Sequence, residues 1–231
     1  MITAICRGLL GIAKIMNIAA NYVLNNLTSS PKHEIKRIME ISYNRGWISS
    51  RDGNASVVKN NTFYITPSGV TKYNIDVKDI VTSEIDITEL GERIINISSG
   101  STPSGELALH LNMYKSKNVM AVLHLHPTNT ISAMEAGFDL RYISSILQEL
   151  SRFTKVGPNV SKLPVTSQIL AEETLKAMSD ESGIVFDIVG QAGHGVTAVG
   201  IDLNECFQHI ERLEHACEIV LKSGIKPPVS K

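Results

Sequence analysis

Val119-Met120-Ala121-Val122-Leu123 is an uninterrupted apolar run that ends in His124-Leu125-His126-Pro127. A short run of this kind predicts a buried strand, apolar towards both faces of its sheet. On a strand, residues i and i+2 share a face, so the two imidazoles stand side by side. Pro127 stops the strand at once and places the pair at a sheet edge or in a cleft. Two such groups can grip one ion, although H-x-H is a short signal that also occurs on solvated strand faces.

Around this strand the pattern alternates between helical and extended spacing. Ile35, Ile38, Met39 and Ile41 predict a helix over 33–45, with Ser30-Pro31 as its start signal and Gly46 as its stop. Two β-rich runs, 55–58 and 62–66, are separated by Lys59-Asn60-Asn61 and read as a hairpin. Further strands are predicted over 79–82, 93–97, 184–189 and 196–199. Helices are predicted over 106–114, 130–136, 140–150, 169–178 and 204–221. Strands clustered early, with helices before and after them, predict an α/β fold with a mixed central sheet in three layers.

The chain has 231 residues, enough for one large domain with a substantial core. A net charge of −1 supplies no basic surface for nucleic acid, and no like-charged block forms a tail. A small anionic substrate is compatible with it, since a local site needs only a few donors. The three cysteines, Cys6, Cys206 and Cys217, are odd in number and form no C-x-x-C pair. That excludes a disulfide framework and favours a reducing, cytoplasmic setting. Residues 1–31 read as a helical extension preceding a catalytic domain over 32–231. Arg7, Lys14 and Asn17 interrupt its apolar residues, so neither a membrane span nor a signal-peptide core fits.

Three further features carry chemistry. His194 lies in Gln191-Ala192-Gly193-His194-Gly195, where glycines allow close backbone approach. As a third ligand beside His124 and His126 it completes a three-histidine site with an open position, the form of a catalytic zinc site. Glu106 follows Thr102-Pro103-Ser104-Gly105 at a helix start. It is either a residue favouring the helix dipole or a carboxylate facing the metal, as fourth ligand or proton-transfer base. Gly53-Asn54-Ala55-Ser56, Thr66-Pro67-Ser68-Gly69 and Ser104-Gly105 are turns whose N–H groups and hydroxyls suit an anion, though turns use these residues anyway. His33, His110, His209 and His215 have the wrong neighbours for the metal site and are expected to be structural or surface residues.

In order and spacing, Gly53-Asn54-Ala55-Ser56, Ile65-Thr66-Pro67-Ser68-Gly69, Pro103-Ser104-Gly105-Glu106, Val122-Leu123-His124-Leu125-His126-Pro127 and Gly193-His194-Gly195 resemble the class II aldolase and adducin head family, over roughly His33 to Leu221. The resemblance implies an α/β/α sandwich with a mixed, mostly antiparallel sheet. It implies zinc, or another divalent ion such as manganese or cobalt, on His124, His126 and His194. Glu106 would be the acid/base that also touches the metal. Gly53, Asn54, Thr66, Ser68, Gly69, Ser104 and Gly105 would bind a substrate phosphate. It further implies a homotetramer with active sites at subunit boundaries, some members lending a tyrosine for which Tyr142 is a candidate here. Where the family often has a second serine before the acid, this chain has Gly105 and keeps only the N–H. The activity implied is retro-aldol cleavage of a phosphorylated ketose to dihydroxyacetone phosphate and an aldehyde. Epimerisation of a pentulose phosphate, decarboxylation of a sugar-acid phosphate and dehydration of a thioribulose phosphate are alternatives on the same site, and a non-catalytic adducin-like scaffold is a further one.

Overall fold

A computed structural model describes residues 30–88, 93–97, 102–116 and 118–228. The predicted N-terminal helical extension lies outside them, apart from its last two residues.

Pro31 opens helix α1 (Pro31–Asn44), where its fixed φ suits a first helical turn, although the Ser30 side chain makes no capping bond. The expected hairpin forms as β1 (Asn54–Lys59) and β2 (Thr62–Ile65), and Asn60 and Asn61 take the positive φ values its two-residue turn requires. Next come β3 (Val81–Ile87), β4 (Arg93–Ile95), α2 (Leu107–Met113) and β5 (Ala121–Leu125). They are followed by α3 (Thr128–Glu135), α4 (Leu140–Ile146), α5 (Gln148–Phe153), α6 (Gln168–Met178), the short β6 (Ser179–Asp180) and β7 (Gly183–Ile184), then β8 (Ile188–Gln191), β9 (Gly195–Gly200) and α7 (Leu203–Ser223).

Seven strands form one sheet in the order β4-β3-β2-β1-β5-β9-β8, and every strand pair in it is antiparallel. Among the described residues, parallel pairing is confined to two isolated bridges, Val156 with Ile188 and Val160 with Gln191. Alternation along the strands divides the core between the two faces. Ala55, Val57, Ala121, Leu123, Leu125, Val196 and Ala198 pack under α1, α3, α4 and α7. Val58, Phe63, Ile65, Val122 and Val199 pack with Met113 and Met178 on the α2 and α6 side. β5 is apolar on both faces because each is covered, which makes three layers. No helix among the described residues is long and apolar enough to cross a membrane.

Three expectations need correction. The strand predicted over 79–82 starts at Val81, because Asp76 to Asp79 closes a turn in which the Asp76 carboxylate accepts the Lys78 N–H. The strand predicted over 184–189 is split. Val185 and Phe186 both donate to Met178 O, and the main sheet is rejoined at Ile188. The single helix over 140–150 is two, parted at Leu147, which turns extended and packs against the core. Of the two placements expected for the histidine pair, a sheet edge or a cleft, the structure has the cleft: β5 lies at the centre of the sheet and the pair sits at its end.

Candidate metal centre

The site is assembled by strand register. Asn54 of β1 pairs with His124 of β5, which pairs with Thr197 of β9. Residues directly opposite one another point to the same face, so these three side chains form a polar row on the α2 and α6 side of an otherwise apolar sheet. His126 lies just beyond β5, its N–H held by Trp47 O at 2.8 Å. His194 comes from the β8–β9 turn, where its N–H bonds Gln191 O and Gly193 adopts a φ of +66°.

The three imidazoles meet. One nitrogen from each of His124, His126 and His194 falls in a set whose members all lie within 4.8 Å of one another. The Nε2 atoms of His124 and His126 are 2.9 Å apart. Glu106 enters from the start of α2, with Oε2 3.3 Å from His124 Nε2 and Oε1 3.5 Å from His194 Nε2. Gly195 makes the approach possible, since a Cβ there would lie 2.7 Å from His126 Cδ2 and 3.2 Å from His124 Cε1.

Electrostatics favour a cation at this point. Burial pushes the His124 pKa well below its ordinary value, with the neighbouring His126 and His194 adding to the shift. Burial, then His194, lowers His126 to about 4. These two rings are therefore neutral at pH 7, with lone pairs free for an ion. Desolvation raises Glu106, opposed by the Asn54 hydrogen bond and by His194. Glu106 Oε1 and His194 Nδ1 are buried without a hydrogen-bond partner. An orphaned carboxylate oxygen among three converging imidazoles is the donor set of a divalent ion, so the residues fit such a group.

Behind these groups run two buried hydrogen-bonded chains. His124 Nδ1 lies 3.2 Å from Thr197 Oγ1, which donates to Gln191 Oε1; Gln191 Nε2 reaches Thr174 Oγ1 at 2.9 Å. Such partners fix the tautomer and ring orientation of a ligating histidine. The second chain runs from Glu106 through Asn54 to His110, Ser56 and Tyr114. His110 was expected to stand apart from the site. The structure instead buries it fully beside Asn54. The missed signal is Glu106-x3-His110-x3-Tyr114, a four-residue repeat that puts all three side chains on one helix face.

A cleft of about 330 Å³ opens beside the cluster, lined by Gly53, Asn54, Ser68, Gly69, Ser104, Gly105, Glu106, His126 and His194. The two turns that border it are tied together: Ser104 N donates to Thr66 O, and Ser68 N to Thr102 O. Thr66 does not line the cleft. It is fully buried, and its hydroxyl accepts the Ala55 N–H at 3.3 Å. Tyr142 packs on Phe138, away from this chain's cleft. Arg51, Asp52, Lys72, Val165 and Thr166 also line it and were not anticipated. Lys72 is 3% exposed, and its ammonium donates to Pro67 O and Val70 O beneath the Pro67-Ser68-Gly69 turn.

The family model for the class II aldolase and adducin N-terminal domain matches residues 33–221, over four-fifths of the chain. The chain belongs to this family. Among class II aldolase relatives, the L-fuculose phosphate aldolase of Methanococcus maripaludis is 27% identical over 186 residues, covering 79% of this chain and 91% of its own. A methylthioribulose-1-phosphate dehydratase of Sorangium cellulosum is 29% identical, covering 85% and 93%. A bifunctional relative in Nocardia farcinica, 26% identical over 87% of this chain, is matched through 37% of its own length. The crystal structure of L-fuculose-1-phosphate aldolase from Thermus thermophilus superposes with a TM-score of 0.65 at 22% identity, over 83% of this chain and 93% of that one, and so shares the fold. The other histidines are placed as expected: His33 and His215 are exposed, and His209 is buried against Thr154. Cys206 and Cys217 are buried free thiols.

Proposed function

We propose that this chain is a divalent-metal-dependent lyase, active as a homotetramer, that cleaves a phosphorylated ketose by retro-aldol reaction to dihydroxyacetone phosphate and an aldehyde. The observation that carries the reading is the convergence of three histidine nitrogens within 4.8 Å beside Glu106, whose Oε1 is buried without a hydrogen-bond partner. Zinc, or manganese or cobalt in its place, would be held by His124, His126 and His194, with Glu106 as a resting ligand. When bound, the ion supplies a Lewis acid for the ketone oxygen that gains negative charge as the C3–C4 bond breaks.

The chain's own groups do the rest. Displaced from its resting position, Glu106 returns a proton to C3, balancing the proton lost from the C4 hydroxyl. Desolvation raises its pKa, which suits a carboxyl that both takes and gives a proton. Gly53, Asn54, Ser68, Gly69, Ser104 and Gly105 bind the phosphate at the other end of the cleft, with Thr66 bracing their turns from below. Lys72 supplies positive charge beneath them: its buried ammonium donates to Pro67 O and Val70 O, and against the desolvation that lowers its pKa the Asp52 carboxylate favours its charged form.

A second reading rests on the relatives named methylthioribulose-1-phosphate dehydratase, one of them 29% identical. It keeps the same metal and phosphate groups but expels water instead of breaking a carbon–carbon bond. Phosphorylated ketoses and methylthioribulose phosphate, assayed with added zinc or manganese, separate the two by product: dihydroxyacetone phosphate with an aldehyde, or a dehydrated diketone phosphate. Glu106→Gln should abolish turnover while zinc stays bound. Full turnover in that variant would remove Glu106 from the mechanism.

A further inference from the structure

The amide of Asn54 has two ends, and the structure assigns each a partner. Nδ2 donates to Glu106 Oε2 at 2.7 Å, so Oδ1 must be the atom facing His110 Nε2 at 2.5 Å. An acceptor there requires Nε2 to carry the proton. Burial lowers His110 to about 3, so the ring is neutral and Nδ1 is bare. Ser56 Oγ, 2.6 Å from Nδ1, therefore donates to it, and its oxygen accepts from Tyr114 OH at 2.8 Å. Every bond then has one sense: Tyr114 to Ser56 to His110 to Asn54 to Glu106. All five side chains are buried. Turning the amide over would set Oδ1 against a carboxylate oxygen and Nδ2 against an N–H, two mismatches among buried groups.

We propose that His110 is a positioning residue: by locking the Asn54 amide it ties Glu106 Oε2 to the protein and leaves Oε1 as the carboxylate oxygen with no hydrogen-bond partner, open to the cation and the substrate. The inference rests on the metal-dependent reading above. It explains why Oε1 is the oxygen without a hydrogen-bond partner, and why β1 presents Asn54 and Ser56, two residues apart, towards Glu106, His110 and Tyr114, four apart.

The test compares two substitutions of similar volume in the full chain. His110→Gln places an amide N–H near the original Nε2 and can still donate to Asn54. His110→Asn is one carbon shorter and reaches only the Ser56 side. In metal-free protein, the Asn54 side-chain amide protons, read by nitrogen-15 NMR, should exchange slowly with solvent in wild type and His110→Gln and quickly in His110→Asn. Zinc affinity, measured by chelator competition, should fall about 10–100-fold in His110→Asn and stay near wild type in His110→Gln. In an Asn54→Ala background the two variants should bind zinc equally. General loosening of the core would move both variants alike, so equal behaviour of the two in the Asn54-intact chain, or an unchanged Asn54 amide in His110→Asn, overturns the proposal. Should wild type bind no divalent ion, the metal-dependent reading fails by itself, and the Asn54 amide alone decides the positioning role.

Discussion

Gly195 offers the sharpest test of how tightly the imidazoles are held. It opens β9 and is fully inside the sheet, where an alanine would suit the local backbone. The cost of Gly195→Ala is therefore steric and not conformational. The added Cβ would lie 2.4 Å from Leu125 O and 2.7 Å from His126 Cδ2. Ordinary carbon contacts begin near 3.5 Å, so β5 and β9 must part by about 1 Å beside His124, His126 and the turn that carries His194. Overpacking costs about 1–3 kcal/mol, and the upper end applies because the obstacle is a backbone carbonyl that cannot swing aside. For a chain of this size about 3 kcal/mol lowers Tm by roughly 6–12 °C. Displacing His126 and His124 should also weaken zinc about 10–100-fold. Gly200→Ala, in the same strand, is the control. Its nearest obstacle is Glu205 Oε2 at 2.6 Å, the tip of a flexible side chain that can move. It should cost about 0.5–1.5 kcal/mol, the bond from Ile201 N, and leave zinc affinity unchanged. The assays are thermal melting of metal-free protein and chelator competition for zinc. A Gly195→Ala protein that melts and binds zinc like wild type would refute the steric reasoning.

Acid should destabilise the metal-free fold through its buried histidines. Folding lowers His110 to about 3 and His126 to about 4, below the roughly 6.5 of a free ring, so the unfolded chain takes up protons first. The stability they contribute is complete above pH 6.5 and is lost as pH falls towards 4 and then 3; at pH 5 each costs about 2 kcal/mol. Denaturant melts from pH 7.5 to 5 should show this decline, and the His110→Gln variant should show a shallower one; a flat profile contradicts the neutral assignment. Lys72→Met should weaken binding of inorganic phosphate about 10–100-fold by removing a charged hydrogen bond, with zinc affinity intact, as titration calorimetry would show. Equal phosphate binding by that variant would detach Lys72 from the anion end of the cleft.

The histidine pair, the acid at a helix start and the glycine-bearing turns were legible along the chain because each is a local pattern. The H-x-H spacing follows from strand pleating, and the turns from the demand for small residues. His110 was set aside because its four-residue spacing from Glu106 and Tyr114 reads equally as an ordinary helix face. Its partners Asn54 and Ser56 lie more than fifty residues away, and only the pairing of β1 with β5 beneath α2 brings them together. Lys72 was passed over for the same reason. A lysine reads as exposed until the turn it supports folds over it.

Element types followed from apolar periodicity, yet their ends did not. Val185 and Phe186 have strand-like composition, but their N–H groups are taken by Met178 O, a competition invisible in a local window. The amino-acid order alone determined which residues could be ligands, which runs must be buried and that two helical layers are needed. The tertiary structure decided that β5 is central and that Thr197 stands opposite His124. It also decided that one oxygen of Glu106 is tied while the other is left open. Periodicity acts over a few residues, whereas register and the meeting of side chains depend on how distant segments exclude water together.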